Sequence, residues 1–281
     1  MGNTDQQTNW TQDQVSKEAR HTEIISETGL LKYLEVEQQT EQNSRSLYQP
    51  EFESFCKLFD LYEYLIASIK IGDLKLQIPS DLLLVVTSQM CGVASQLLRN
   101  RLTDAYALSR RAIEATAVAH RIWKQPELAK VFREAYPNSK QDEHPKQWRP
   151  SDSYKNEFST KKLFDYQGEV WTHLRTMYEV DSVMATHTGL GALVNHEIRG
   201  QTRYLSFIST DNRDVLRAWY DLMSTYFATL KVFIRIFRES WTRDGVGIFE
   251  KDVIVFRDKI SVLISQRAPW MLSSLEGVLK Q

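Results

Sequence analysis

The sequence predicts an all-α protein, a multi-helix bundle built around an antiparallel helix pair and one long helix in the C-terminal half. Three observations predict it. Apolar residues recur at spacings of three and four from Pro50 onward, the period of a helix face. Small residues crowd one member of a helix pair at 81–123. Finally, Leu216, Tyr220, Met223, Phe227, Leu230, Ile234, Phe237 and Trp241 step by alternating fours and threes, with Trp219, Tyr226 and Phe233 in a second column beside them. The chain has 281 residues, 42% hydrophobic and 25% charged, a composition that excludes a disordered or fibrous main body. Lysine plus arginine number 35 against 36 acids, a net charge of −1, so no whole-molecule field attracts nucleic acid or an anionic membrane.

Residues 1–49 form a polar N-terminal segment, expected to be partly disordered, with eight acidic and four basic residues up to Arg45. It carries neither the basic flank nor the apolar run of a signal peptide. Leu30, Leu31 and Leu34 suggest a short helix that stops before the polar run Gln38 to Ser46. Residues 50–281 read as a single helical domain. Phe52, Phe55, Phe59, Tyr62 and Ile66 mark its first helix, with Pro50 at the start, where proline is tolerated, and Gly72 and Asp73 at the end. Ser80 or Asp81 is expected to cap the next helix, which reaches Arg99. A turn at Arg99, Asn100 and Arg101 then leads into a helix ending near Trp123. One uninterrupted helix from 81 to 123 would be about 65 Å long, so a folded-back pair is the better reading. Ala105, Ala107, Ala112, Ala115, Ala117 and Ala119 let the two backbones approach.

A long polar loop follows at about 137–160, read as a lid or a mobile connection. Leu163, Tyr166, Val170, Leu174 and Met177 predict one helix to about Thr186. The long stripe from Leu216 to Trp241 predicts a core helix, with a homodimer seam as the alternative use of its apolar face. Gly245 and Gly247 are expected to break the chain before a last helical stretch, and Pro269 to open a short final turn. Leu82 to Leu98 and Trp219 to Phe237 are the segments that invite a membrane test. Their polar residues make both read as helices buried in protein, so no membrane partner is expected. Cys56 and Cys91 form no metal or redox motif and are expected as small buried thiols in a cytoplasmic protein.

Candidate site residues are few. Arg110 and Glu114 stand one helical turn apart, and Arg121 lies near the same azimuth; with Arg111 they suggest a phosphate or carboxylate site oriented by Glu114. Arg110 and Arg121 are ~16 Å apart along the axis, too far for both to clamp one small ligand. Glu114 and His187 are the catalytic candidates. His187, between Thr186 and Gly189, reads either as an exposed acid–base group or as a partner of the last carbonyls of its helix. His173, His187 and His196, with Asp181 and Glu197 nearby, carry metal-ligand chemistry but lack metal-ligand spacing, so no metal or other cofactor is expected. His120 reads as a hydrogen-bonded core residue. The basic stretch Lys155 to Lys162 is diluted by Glu157 and makes nucleic acid an unlikely partner. Walker, dinucleotide and nucleophile-elbow motifs are absent.

Leu97 to Ala105 (LLRNRLTDA), Ser109 to Ala115 (SRRAIEA) and Pro126 to Ala129 (PELA) together resemble bacterial all-helical families of unknown function. The match covers about 35 residues. Tyr178, Ser182 and His187 are similar to a downstream stretch of those families, with the Ser–His gap one residue longer here. The helix pair also resembles, more distantly, HEPN domains, helical bundles that include dimeric ribonucleases. That resemblance implies a bundle. It carries over no nuclease site, because none of the six histidines (21, 120, 144, 173, 187, 196) follows an arginine at the hallmark distance. The expected function is a binding or interaction module for a partner protein or small ligand. The alternative is a HEPN-like ribonuclease or metal-dependent hydrolase using Arg110, Glu114 and His187.

Overall fold

The computed structural model describes residues 33–135, 150–185, 198–199, 202–203, 212–241 and 243–272. They form an all-α bundle. Helix α1 covers 33–47, and α2, α3 and α4 span Gln49–Ser68, Leu74–Leu98 and Leu102–Lys124. The short helices α5, α6 and α7 span Leu128–Arg133, Asp152–Glu157 and Thr160–Leu163. Helices α8, α9 and α10 span Glu169–Ala185, Asn212–Phe237 and Arg243–Arg267. The sheet content is a two-residue antiparallel ladder, Ile198–Arg199 with Thr202–Arg203.

The polar run that was expected to end the first helix is instead carried through it. Gln39 donates to Asn43, and Glu41 pairs with Arg45, one turn apart, while the other polar groups address the turn between α3 and α4. Glu37 meets Arg101 at 3.1 Å, Glu41 meets Arg99 at 3.3 Å, and the Ser44 hydroxyl lies 3.1 Å from the Asn100 side chain. These residues hold a helix to a polar anchor rather than to an apolar core, which a hydrophobic period does not register.

Helix α3 begins about two turns earlier than expected, because Asp73 accepts a hydrogen bond from the Lys75 backbone N–H at 2.9 Å and serves as the cap. Pro79 therefore sits inside the helix. Asn100, at φ 55°, makes the left-handed turn that sends the chain back into α4. Gly92 and Leu108 stand eight residues before and after it, and a Cβ on Gly92 would lie 2.9 Å from a Leu108 methyl. A side chain there would have to displace the Leu108 methyl, a mark of how closely the pair packs. Among the described residues, one helical stretch, Lys75–Leu98, is long and apolar enough to cross a membrane; 44% of its most apolar window is buried in the bundle.

Cys56 and Cys91 are exposed, not buried. Each follows a core residue, Phe55 and Met90, and one helical step of 100° turns it outward.

Within the expected polar loop, 136–149 lie outside the described residues. Beyond them the chain folds as α6 and α7. Ser151 caps α6 by accepting from the Tyr154 N–H, and its own N–H donates to the Ala135 carbonyl at 2.7 Å. Phe158 and Leu163 are buried, and Phe158 meets Phe132 of α5 edge-on. Helix α7 stops at Leu163, and α8 starts only at Glu169. The single helix expected there is two, divided at Gly168, whose φ of 111° a side chain rarely adopts.

The long helix α9 matches the sequence stripe and is about 39 Å long. It ends at Phe237 in a 3₁₀ turn, so Trp241 leaves the stripe and bridges Ile69 as extended backbone. The apolar face is filled by the chain's own helices. Phe55 of α2 meets Trp219 and Tyr226 at centroid distances of 5.8 and 5.9 Å, and Phe256 of α10 meets Phe227 at 5.5 Å. The core-helix reading of this face thus matches its packing within the one chain. The Tyr62 hydroxyl donates to the Tyr226 carbonyl at 2.8 Å and also contacts Thr229.

Gly245 and Gly247 do not break the chain; α10 runs through both. A helix tolerates an interior glycine at a cost of about 1 kcal/mol relative to alanine. A Cβ on Gly247 would meet nothing within 4 Å. Gly247→Ala is accordingly expected to raise stability by about 0.5–1 kcal/mol, read as an upward shift of the urea midpoint at unchanged slope.

Candidate functional site

Arg110 is held by its neighbours in the fold. Its Nη2 donates to the Tyr178 hydroxyl of α8 at 3.0 Å, its guanidinium lies 5.0 Å from the centre of that ring, and its Nε faces Glu114 at 3.4 Å. Arg121 turns away from this pair to Glu157 of α6 at 2.9 Å, where Lys162 joins it at the same distance. These two cations hold the Glu157 carboxyl below its usual range. Arg111 is exposed. The structure thus unites Arg110 with Glu114 and leaves Arg111 and Arg121 elsewhere. His187 and His196 lie outside the described residues. The Nε2 of His173 pairs with the Ser224 hydroxyl of α9 at 3.2 Å. Among the described residues no group of three His, Cys, Asp or Glu side chains is placed to hold a metal ion.

Behind Arg110 lies a buried acid that the spacing did not single out as a centre. Asp181 of α8 is fully buried, and neither carboxylate oxygen has a hydrogen-bond partner among the described residues. The Ser109 hydroxyl faces it without completing a bond of normal geometry. Burial pushes the Asp181 carboxyl well above the usual carboxylate range, the charge of Asp221 adds to the rise, and Ser109 and Arg110 oppose it. Asp221 of α9 is pushed up to about 6 by burial, against the pull of Arg217 at 3.5 Å. Burial thus favours the neutral form of the Asp181 carboxyl. It stands as a buried acid between α4, α8 and α9.

A second arrangement opens to solvent. A cleft of about 500 Å³ lies between the first turn of α8, the C-terminal half of α9 and α10, within the usual size range of small-molecule sites. Its apolar wall includes Val170, Trp171, Val232, Ile234, Phe249 and Val253. Lys231, Arg235 and Arg238 line it as well, spaced four and three apart along α9 and the 3₁₀ turn that continues it. Glu169 and Glu250 are its two carboxylates. Burial, reinforced by repulsion from Arg257, brings the Lys231 ammonium down to about 8.

The first turn of α8 contributes backbone. The Gly168 carbonyl accepts the first intrahelical bond, from the Thr172 N–H at 2.9 Å. The N–H groups of Glu169, Val170 and Trp171 thus have no intrahelical acceptor. Gly168 has no side chain to cap them, and all four residues line the cleft.

His120 also lines the cleft. It is 3% exposed, and its Nδ1 has no hydrogen-bond partner among the described residues, a departure from the satisfied core histidine that the sequence suggests. Tyr166, Trp171 and Trp123 surround the ring at centroid distances of 4.4, 4.7 and 5.5 Å. Burial, with smaller contributions from Lys124 and Arg235, lowers it to about 4. At neutral pH the imidazole is uncharged, with one nitrogen an N–H donor and the other an acceptor.

The cleft residues escaped the sequence reading for an identifiable reason. Lys231 and Arg235 were visible as charges interrupting an apolar helix, and the step to Arg238 continues them on one face. Nothing local to α9, however, shows that the α8 N-terminus some sixty residues upstream lies opposite that face. No protein-family model, no curated protein and no solved structure matches this chain.

Proposed function

We propose that this chain is a small-molecule-binding protein of the cytoplasm, and that its ligand seats in the cleft between α8, α9 and α10. The observation that carries this reading is the convergence of Lys231, Arg235, Arg238 and the open first turn of α8 on one cleft with an apolar wall, large enough for a small molecule. The two exposed free cysteines support a reducing compartment. Arg110 and Glu114, engaged with Tyr178 and with each other, take a structural role in this reading.

Val253→Trp tests it, because Val253 is a half-buried lining residue whose enlargement fills the cleft. A panel of small acids, amines and neutral compounds is screened by ligand-observed NMR against the full chain and this variant, with helicity checked by circular dichroism. The expected result is a set of compounds that binds the native chain and not the variant. Equal binding to both, or none to either, rejects the cleft.

A further inference from the structure

We infer that the ligand is a free amphipathic molecule bearing a single acid group, phosphate or carboxylate, which sits against the open first turn of α8 while its apolar part lies along the α9–α10 wall. The inference rests on the cleft being the binding site and specifies what the cleft recognises. Two features of different origin converge on one acid group. The N–H groups of Glu169, Val170 and Trp171 point out of an uncapped seventeen-residue helix, whose end carries about half a positive charge. Lys231, Arg235 and Arg238 stand on the facing helix; among the described residues neither Arg235 nor Arg238 is ion-paired. His120 stands on the same wall, 3% exposed, with its Nδ1 unpartnered among the described residues.

The carboxylates of Glu169 and Glu250 are on the same walls. Among the described lining residues cations outnumber carboxylates three to two, a balance that suits a ligand with one acid group and disfavours a polyanion. The apolar wall, in turn, disfavours a bare ion. Half-buried Ile234 and Val253 and exposed Ile254 would stay wetted beneath an inorganic phosphate and be covered by a chain of several carbons.

Isothermal titration of the full chain with octyl phosphate, octanoate, octanol, octylammonium and inorganic phosphate tests the assignment. Octyl phosphate or octanoate is expected to bind at least about tenfold more tightly than octanol and octylammonium, a hydrogen-bonded charge being worth about that factor. Inorganic phosphate is expected to bind weakly. Lys231→Met should weaken the acids about tenfold and leave octanol unchanged. The double variant Arg235→Gln/Arg238→Gln alters exposed side chains; it should flatten the salt dependence of acid binding and leave the thermal midpoint unchanged.

Octanol or octylammonium binding as tightly as the acids, and lost in Val253→Trp, overturns the acid assignment and leaves the cleft standing. Binding of the octyl series that is indifferent to Val253→Trp overturns both. Failure of both octyl acids to bind at millimolar concentration also overturns the assignment. Sedimentation of the chain with phosphatidylglycerol vesicles, lost in the double variant and without binding of the free acids, would place the acid on a bilayer and reject a free ligand.

Discussion

Glu51→Ala is expected to lower the stability of the fold by roughly 3 kcal/mol. Glu51 is fully buried on α2. One of its oxygens accepts from the Tyr220 hydroxyl of α9 at 2.7 Å and from the Arg267 Nε of α10 at 2.6 Å. A second Arg267 nitrogen donates to the Leu47 carbonyl at 3.1 Å. Three helices are therefore joined at a single carboxylate. Its removal leaves the Tyr220 hydroxyl, in a wholly buried residue, without an acceptor. Arg267 loses its partner too, yet its side chain is 35% exposed and recovers water, which keeps the loss at the low end of the range for broken buried ion pairs. Glu51→Gln keeps one acceptor oxygen and should cost less than half as much. Urea unfolding followed by circular dichroism measures both. A loss below about 1 kcal/mol for the alanine variant would mean that α2 is held by apolar contacts alone.

This knot was not legible in the sequence, where Glu51 and Arg267 lie 216 positions apart. The long helix was, because its information is local. Large apolar residues repeat along it every three to four positions, and nothing from elsewhere in the chain is needed to read them. The α3–α4 pair was legible for the same reason: Asn100 and its arginine neighbours punctuate two periodic stretches. Where the reading failed, a local signal was overruled by a distant one. The polar residues of α1 suggested an end to the helix and instead bond to Arg99, Asn100 and Arg101. Gly245 and Gly247 suggested a break, and packing of the later residues Phe249, Phe256, Ile260 and Ile264 carries the helix through both. Of the candidate site, Arg110 with Glu114 was readable from its spacing of four. The cleft was not, since it combines a helix N-terminus, a cationic stripe and a core histidine from three separate elements.

Acidification sets two buried sets of groups against each other. His120 and His173 both fall to about 4 from an ordinary value of 6.5, chiefly by burial, with Lys124 and Arg235 acting on the first and Lys231 on the second. Below pH 6.5 the unfolded chain takes up these protons and the folded chain does not. The stability they contribute is complete above that value and is lost as pH falls toward 4, by about 3 kcal/mol for each at full burial. Asp221 works in the opposite direction. Burial raises it to about 6 from 3.8, so its ionised form is costlier in the fold than in the unfolded chain. The fold loses stability as pH rises from 3.8 to 6 and regains about 3 kcal/mol on the way down. Asp181, raised well above its ordinary value by the same burial, has the same sign. The native chain should therefore show a shallower dependence between pH 6.5 and 4 than the two histidines alone would give, because the aspartates oppose them. Asp221→Asn removes one side of that balance. The variant should be the more stable protein at pH 7.5 and should lose about 3 kcal/mol more than the native chain between pH 6 and pH 4. Urea midpoints at these three pH values decide it. Parallel profiles for the two proteins would show that Asp221 reaches water through its contact with Arg217, and that its carboxylate is not desolvated by the packing of α8 against α9.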